Sequence, residues 1–422
     1  MRPFNVHTLP DGLRVIHEPS TSEVVYCGYV VCAGTRHEDL NDSGMAHFIE
    51  HMSFKGTERR KSVHISNGLE RVGGDLNAFT NKQETVYYAT VLRPDFNRAV
   101  DLLTDIVFHS IYPQHEIDRE VEVICDEIDS YKDSPAEIIF DEFEALIYDG
   151  QPLGRDILGE AARLRQYKTA DAVRYTQKYY RPDNAIFYVY GNLDFKKIVA
   201  TLEKAHADMP AVVDDGSNHF SVQELKDTQL YGTHYRDMET HQAHVLVGGR
   251  SCGGRDPRRY ALLILNNMLG GPGMNSRLNM SLREHAGLVY SVDSYLSTYP
   301  DTGLWNVYFG CDPKDVKRCL RLIRKELDKF IAKPLTESQL KAAKKQLCGQ
   351  IGISCDSFEN YSLALGKTFA EYDCHREVES VYEAVEKVTA EEIQQLAAEI
   401  FAPERMTTLI YRPAEEEESE DE

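Results

Sequence analysis

The chain has 422 residues, 42% of them hydrophobic and 27% charged, with one Trp beside 24 Tyr and 16 Phe. A substantial core can form, and neither one small domain nor a disordered chain is supported. The 47 basic and 68 acidic side chains leave a net charge of −21, which argues against nucleic acid or anionic lipid as partners and favours cationic ligands.

Nine cysteines, an odd number without a Cys-x-x-Cys pair, include Cys27, Cys32 and Cys125 inside apolar runs and read as reduced core thiols. The start, MRPFNVHTLPDG, lacks the apolar run of a secretory signal, and no segment reaches the roughly 18 consecutive apolar residues of a membrane span. The expectation is a cytoplasmic protein without membrane or nucleic-acid contacts.

In chain order, GLRVIHE and residues 23–34 (EVVYCGYVVCAG) read as neighbouring strands, the second apolar on both faces and therefore buried. Residues 41–57 (NDSGMAHFIEHMSFKGT) read as a short helix with Asn41, Asp42 or Ser43 as N-cap and Gly56 as its stop. A Gly73-Gly74 turn leads into a strand containing Asn77, Ala78, Phe79 and Thr80. Residues 85–113 give a strand, a turn and an amphipathic helix, and a second helix covers 116–131. Residues 169–191 give a helix, a break at Pro182 and an apolar strand.

This order recurs about 220 residues later: 304–334 repeats 85–113, 337–351 repeats 116–131, and 389–412 repeats 169–191, with Pro403 answering Pro182. Grouped strands followed by grouped helices predict an α+β fold of two homologous halves, each a mostly antiparallel sheet covered by helices. The boundaries expected are 1–210 and 225–413 for the halves, 211–224 for a polar linker, and 414–422 (AEEEESEDE) for a solvated, disordered acidic tail. Gly270-Gly271-Pro272-Gly273 lacks the Lys-Ser/Thr of a phosphate loop and reads as a turn or a substrate-contacting loop.

Chemistry concentrates at His47, Glu50 and His51. Four residues make about one helical turn, so both imidazoles project from one face and can bind one cation, with Glu50 beside them. Two histidines leave a catalytic zinc short of a third protein ligand. The helix over 116–131 offers Glu120 and Glu127, seven residues apart on a partly apolar face, where unpaired charge is costly. The bland alternatives are histidines met by chance on a surface helix and solvated helix charges.

His47-Phe48-Ile49-Glu50-His51, followed by 75 residues and Glu127, resembles the inverted zinc motif of the pitrilysin family, the inverzincins, and especially the bacterial relatives of the mitochondrial processing peptidase beta subunit. GGDLNAFTNKQETVYYA at 73–89 and SRLNMSLREHAGLVYSVDSY at 276–295 are similar to it as well. The resemblance implies that His47, His51 and Glu127 bind one Zn2+ per chain, that Glu50 is the general base, and that Glu120 is a carboxylate supporting the site. It also implies that Asn77, Ala78, Phe79 and Thr80 form an edge strand pairing with an extended peptide, and that Arg283 and Tyr290 contact substrate and oxyanion.

The reading is thus a zinc metalloendopeptidase acting on peptides or unfolded segments, cationic ones preferred. Family chambers combine four such halves, so this chain with two is expected to form a homodimer. Two rivals stay open: a non-catalytic assembly subunit of the same fold, and a facial triad for Fe(II) oxygen chemistry. The second half, with Gln350 opposite Glu127 when Cys348 is aligned with Cys125, should hold no zinc.

Overall fold

A computed structural model describes residues 4–211, 225–375 and 377–414. Its compact units are discontinuous in sequence: the first comprises Met1–Asp129, Arg155–Gln223 and Ile353–Glu377, the second Ser130–Gly154, Glu224–Gly352 and Val378–Glu422.

The first unit is built on β1 (Asn5–Thr8), β2 (Arg14–Pro19), β3 (Val24–Val31), β4 (Asp75–Thr80), β5 (Thr85–Leu92) and β6 (Ala185–Gly191), ordered β1-β2-β6-β3-β5-β4. Among the described residues of this sheet only β2 and β6 pair in parallel. The run VVYCGYVV of β3 buries both faces because the sheet is covered on both. Cys27, Tyr29 and Val31 face the main core of this unit, whereas Val30 joins Ile16, Val86, Ile186 and Tyr188 on the opposite face. That opposite face is covered by a helix from far along the chain, Phe358–Tyr372, through Leu365, Phe369 and Ala370. Gly366 allows the approach, since a Cβ there would lie 2.4 Å from the Tyr188 ring.

The second unit repeats the plan with β7 (Gly232–Met238), β8 (Ala243–Ser251), β9 (Val289–Thr298), β10 (Gly303–Cys311) and β11 (Thr407–Pro413), ordered β7-β11-β8-β10-β9 with β7 and β11 parallel. Here Leu246, Leu304, Leu409 and Tyr411 are covered by Ile139, Phe143 and Ile147 of the helix Pro135–Ile147, which the sequence places in the first half. Each sheet therefore takes one covering helix from the other half of the sequence. The polar linker expected at 211–224 lies, apart from residue 211, outside the described residues, as does the tail beyond residue 414. The α+β class and the two mostly antiparallel halves agree with the sequence reading.

All nine cysteines are free thiols, and burial pushes the Cys27 thiol up to about 12. Among the described residues no helix is long and apolar enough to cross a membrane.

Candidate metal centre

The candidate ligands stand on α1 (Met45–Ser53) and α4 (Gln114–Lys132), between which α2 (Ser62–Glu70) and α3 (Phe96–Phe108) follow in the chain. The apolar face of α1 fixes its position: Met45, Phe48, Ile49 and Met52 are fully buried in the core. The Phe48 ring packs 5.3 Å from that of Tyr167, whose hydroxyl donates to the Ser43 carbonyl at 2.9 Å. Removing such a ring costs about 3–5 kcal/mol, enough to unseat the helix.

The expected N-cap is corrected by the structure. None of Asn41, Asp42 or Ser43 caps α1; the N-cap position is Gly44, at φ 76° and without a side-chain cap. A Cβ on Gly44 would lie 2.6 Å from the Leu158 carbonyl oxygen, so glycine is demanded by close approach as well as by φ. The orphan amides go to a more distant side chain: Gly44 N donates to Glu38 Oε2 at 3.1 Å and Ala46 N to Glu38 Oε1 at 2.8 Å. Gly56 likewise lies three residues past the end of α1 at Ser53.

One turn apart, His47 and His51 stand with ring centroids 4.6 Å apart. Glu127 Oε2 lies 3.9 Å from His47 Nε2 and 3.6 Å from His51 Nε2. One ligand atom from each of His47, His51 and Glu127 falls within 4.8 Å of the others, and no other such group of three occurs among the described residues. Ligand atoms about 2 Å from a tetrahedral zinc are roughly 3.3–3.5 Å apart, so small side-chain shifts close the triangle on an ion. Burial, then the neighbouring His51, lowers His47 to about 3, so this imidazole is neutral and able to ligate. The donor set of two imidazoles and one carboxylate with an open fourth position fits catalytic zinc.

Glu120, seven residues before Glu127, takes the other edge of His51: Nδ1 lies 3.0 Å from Glu120 Oε1. With Nδ1–H donating there, Nε2 keeps its lone pair toward Glu127. Lys55 Nζ sits 2.6 Å from Glu120 Oε2. Burial works to raise the Glu120 carboxyl, but the hydrogen bonds from His51 and Lys55 outweigh it and hold it below its ordinary value.

Glu50 is half-buried, and Thr80 Oγ1 donates to its Oε2 at 2.6 Å. Burial raises its carboxyl above the ordinary range, opposed by the Thr80 hydrogen bond and the His51 charge and reinforced by Glu127.

The strand β4 lies at the end of the sheet and, among the described residues, pairs only with β5. Its four candidate residues do not share a face. Ala78 packs against the main core and Thr80 reaches Glu50, whereas Phe79 packs with Tyr88 on the face under Phe358–Tyr372. Arg283 and Tyr290 belong to the second unit, on the π-helix Asn279–Glu284 and on β9. The guanidinium carbon stands 5.8 Å from the Tyr290 ring centroid, and Tyr290 is 87% exposed.

Sequence reasoning missed Glu38, Lys55 and the Thr80 contact to Glu50. A cavity of about 1150 Å³ between α3 and the helix Phe195–Ala205 shares no lining residue with the metal centre, which is located by ligand chemistry and not by concavity.

Residues 14–161 match the family described as Insulinase (Peptidase family M16), and residues 169–347 match the Peptidase M16 inactive domain. A Bacillus subtilis (strain 168) protein named Uncharacterized zinc protease YmxG is 32% identical over 405 residues, spanning 96% of this chain and 97% of its own. The chain belongs to peptidase family M16. A Rickettsia felis protein named Uncharacterized zinc protease is 30% identical to this M16 chain, covering 94% of it and 95% of its own length. In fold, this M16 chain resembles the crystal structure of a protease from Helicobacter pylori, with TM-score 0.89, 20% identity and coverage of 98% and 100%. A peptidase M16 inactive domain from Pseudomonas fluorescens superposes at TM-score 0.88, with 18% identity and 98% of each chain covered. Pitrilysin-type M16 membership, named on the motif, therefore stands.

Proposed function

We propose that this chain is a zinc endopeptidase that hydrolyses peptides or unfolded segments, with one Zn2+ held by His47, His51 and Glu127. The observation that carries the reading is the convergence of both Nε2 atoms on Glu127 Oε2 with Glu50 beside them. Zinc bound there would lower the pKa of a water and polarise the substrate carbonyl.

Glu50 is the proton acceptor. Thr80 occupies Oε2, leaving Oε1 to take the proton of the attacking water, and burial makes this carboxylate more basic than a solvated one. Glu120 and Lys55 hold the His51 tautomer. The open edge of β4 offers backbone groups for an extended peptide, which favours tolerance of many sequences. Arg283 and Tyr290 are assigned to the developing oxyanion and the substrate, and the net charge of −21 favours cationic peptides.

Glu50→Gln is expected to lower kcat/KM about 10²–10⁴-fold while zinc stays bound, since the amide keeps the shape but accepts no proton. Near-normal turnover by the zinc-loaded variant, free of contaminating protease, would refute Glu50 as the proton acceptor, whereas no turnover by the zinc-loaded wild type on any peptide would favour the assembly-subunit reading.

The assembly is proposed as a homodimer in which the zinc of one chain works with Arg283 and Tyr290 of its partner. Mixed dimers of Glu50→Gln and Tyr290→Phe chains should then recover activity that each parent lacks. No recovery after proven subunit exchange would place both sets in one chain, and a monomer by light scattering would remove the dimer.

A further inference from the structure

The exposed edge of the second sheet carries a carboxylate that the metal centre does not use. Asp293 of β9 stands directly opposite Tyr308 of β10, and Tyr295, two residues on, shares its face. Phe140 closes the same corner, its ring 5.3 Å from Tyr295 and 5.4 Å from Tyr308. The Tyr308 hydroxyl is already engaged by His244 Nδ1 at 2.8 Å.

Asp293 is half-buried and has neither a hydrogen-bond donor nor a counter-cation among the described residues. Burial raises its carboxyl above the ordinary value, with no compensating partner. Its charge in turn contributes to raising the hydroxyls of Tyr295 and Tyr308. A half-buried carboxylate walled by rings is costly when unpaired and attractive to a cation, because ring faces and carboxylate act in the same direction.

The first sheet shows the corresponding corner completed. On its edge strand, Asn77 stands opposite Tyr88 with Phe79 two residues on, the same register as Asp293, Tyr308 and Tyr295. There the covering helix Phe358–Tyr372 supplies an ammonium: Lys367 Nζ lies 5.8 Å from the Phe79 ring centroid and 3.0 Å from Glu84 Oε1. In the second sheet the covering helix Pro135–Ile147 supplies Phe140 instead, and the corner holds the anion without the cation.

We propose that Asp293, Tyr295 and Tyr308 form a subsite for the Lys or Arg side chain of an extended peptide. The carboxylate pairs with the cation, the Tyr295 ring, 43% exposed, lies against its face or stem, and edge strand β9 carries both. The inference rests on the proposed peptidase function for its substrate class, but the subsite belongs to the second unit and shares no residue with the metal centre.

The test uses a neutral peptide through which one lysine is walked, each version matched by one bearing acetyl-lysine at the same position. Cleavage by the zinc-loaded wild-type chain and binding to zinc-loaded Glu50→Gln are both measured. At one position, lysine should be preferred over acetyl-lysine by about tenfold, the size of one charge-assisted pair. Asp293→Asn, in either background, should bring that ratio close to one, and Tyr295→Leu should lower it several-fold. A ratio unchanged by both substitutions, in chains with a wild-type unfolding midpoint, overturns the subsite. If no peptide is cleaved, the peptidase reading fails, and the binding ratios still decide the subsite.

Discussion

The two units share a strand order, β2-β6-β3-β5-β4 in one and β7-β11-β8-β10-β9 in the other, each with one parallel pair at the corresponding place. Between β3 and β4 the first unit places α1, with His47, Glu50 and His51; between β8 and β9 the second places Arg259–Gly270, RYALLILNNMLG, without a histidine or an acid. On a later long helix, Glu120 and Glu127 align in sequence with Ala343 and Gln350 of the repeat. Fold and chemistry are thus separable: the repeated apolar pattern builds either sheet, and a handful of side chains on two helices gives one of them a candidate metal site.

The largest effects should come from removing what only the first unit has. His47→Ala, His51→Ala or Glu127→Gln is expected to take zinc from one per chain to substoichiometric, with hydrolysis lost, by metal analysis after dialysis. The counterpart Gln350→Glu should leave the count at one, because no paired histidines face it. A second zinc in that variant, or full tightly held zinc in Glu127→Gln, would break the comparison, the latter in favour of Glu120 as ligand.

Next come the groups behind the ligands. Glu120→Gln and Lys55→Met are each expected to weaken zinc binding about 10–100-fold in competition with a chelator, since both hold the His51 tautomer. Lys55→Arg should recover part of that loss. Wild-type zinc affinity in Lys55→Met would reduce Lys55 to a surface ion pair. A smaller effect is expected at Thr80→Val, which deletes the donor to Glu50 Oε2 while keeping shape. It should lower kcat about tenfold, the worth of one hydrogen bond to a charged group, and leave zinc affinity alone. A fall in zinc affinity instead would mean that Thr80 acts through the ligands.

What the sequence made legible follows from range. The repeat, both sheets and the metal helix were readable because apolar periodicity and the spacing of His47 and His51 are local. Glu120 and Glu127 were readable as a face of one helix, since seven residues are close to two turns. Glu38 was not, because its bonds to Gly44 and Ala46 cross a loop whose nearer polar residues, Asn41 to Ser43, were the better local candidates. Apolarity on both faces of β3 announced a second cover, but nothing local says that the cover comes from Phe358–Tyr372. The strand containing Thr80 was readable, whereas the face that Thr80 presents depends on the register with β5.

The finest contrast lies at the starts of the helices that follow β3 and β8. Each has a carboxylate taking backbone amides, yet the two should respond to pH with opposite sign. Asp256 accepts from Arg258 N at 2.8 Å, and its side-chain bond to Arg258 holds its carboxyl below the ordinary value. Stability from such a group is present above its unfolded pKa and is lost as pH falls. Glu38, 5% exposed, is pushed up to about 8 by burial, which outweighs the amides of Ala46 and Gly44 and the charge of Arg155. The native state then holds a proton that the unfolded chain releases near its ordinary pKa of about 4.3. Stability from Glu38 is therefore full below that value and is lost as pH rises toward 8. Glu38→Gln keeps a neutral acceptor and removes this slope. In the metal-free chain, the unfolding free energy of the wild type relative to Glu38→Gln should fall between pH 5 and 8, by an amount on the order of a few kcal/mol. Parallel curves would mean that the amide bonds at the start of α1 outweigh burial and keep Glu38 ionised, making the two helix starts alike.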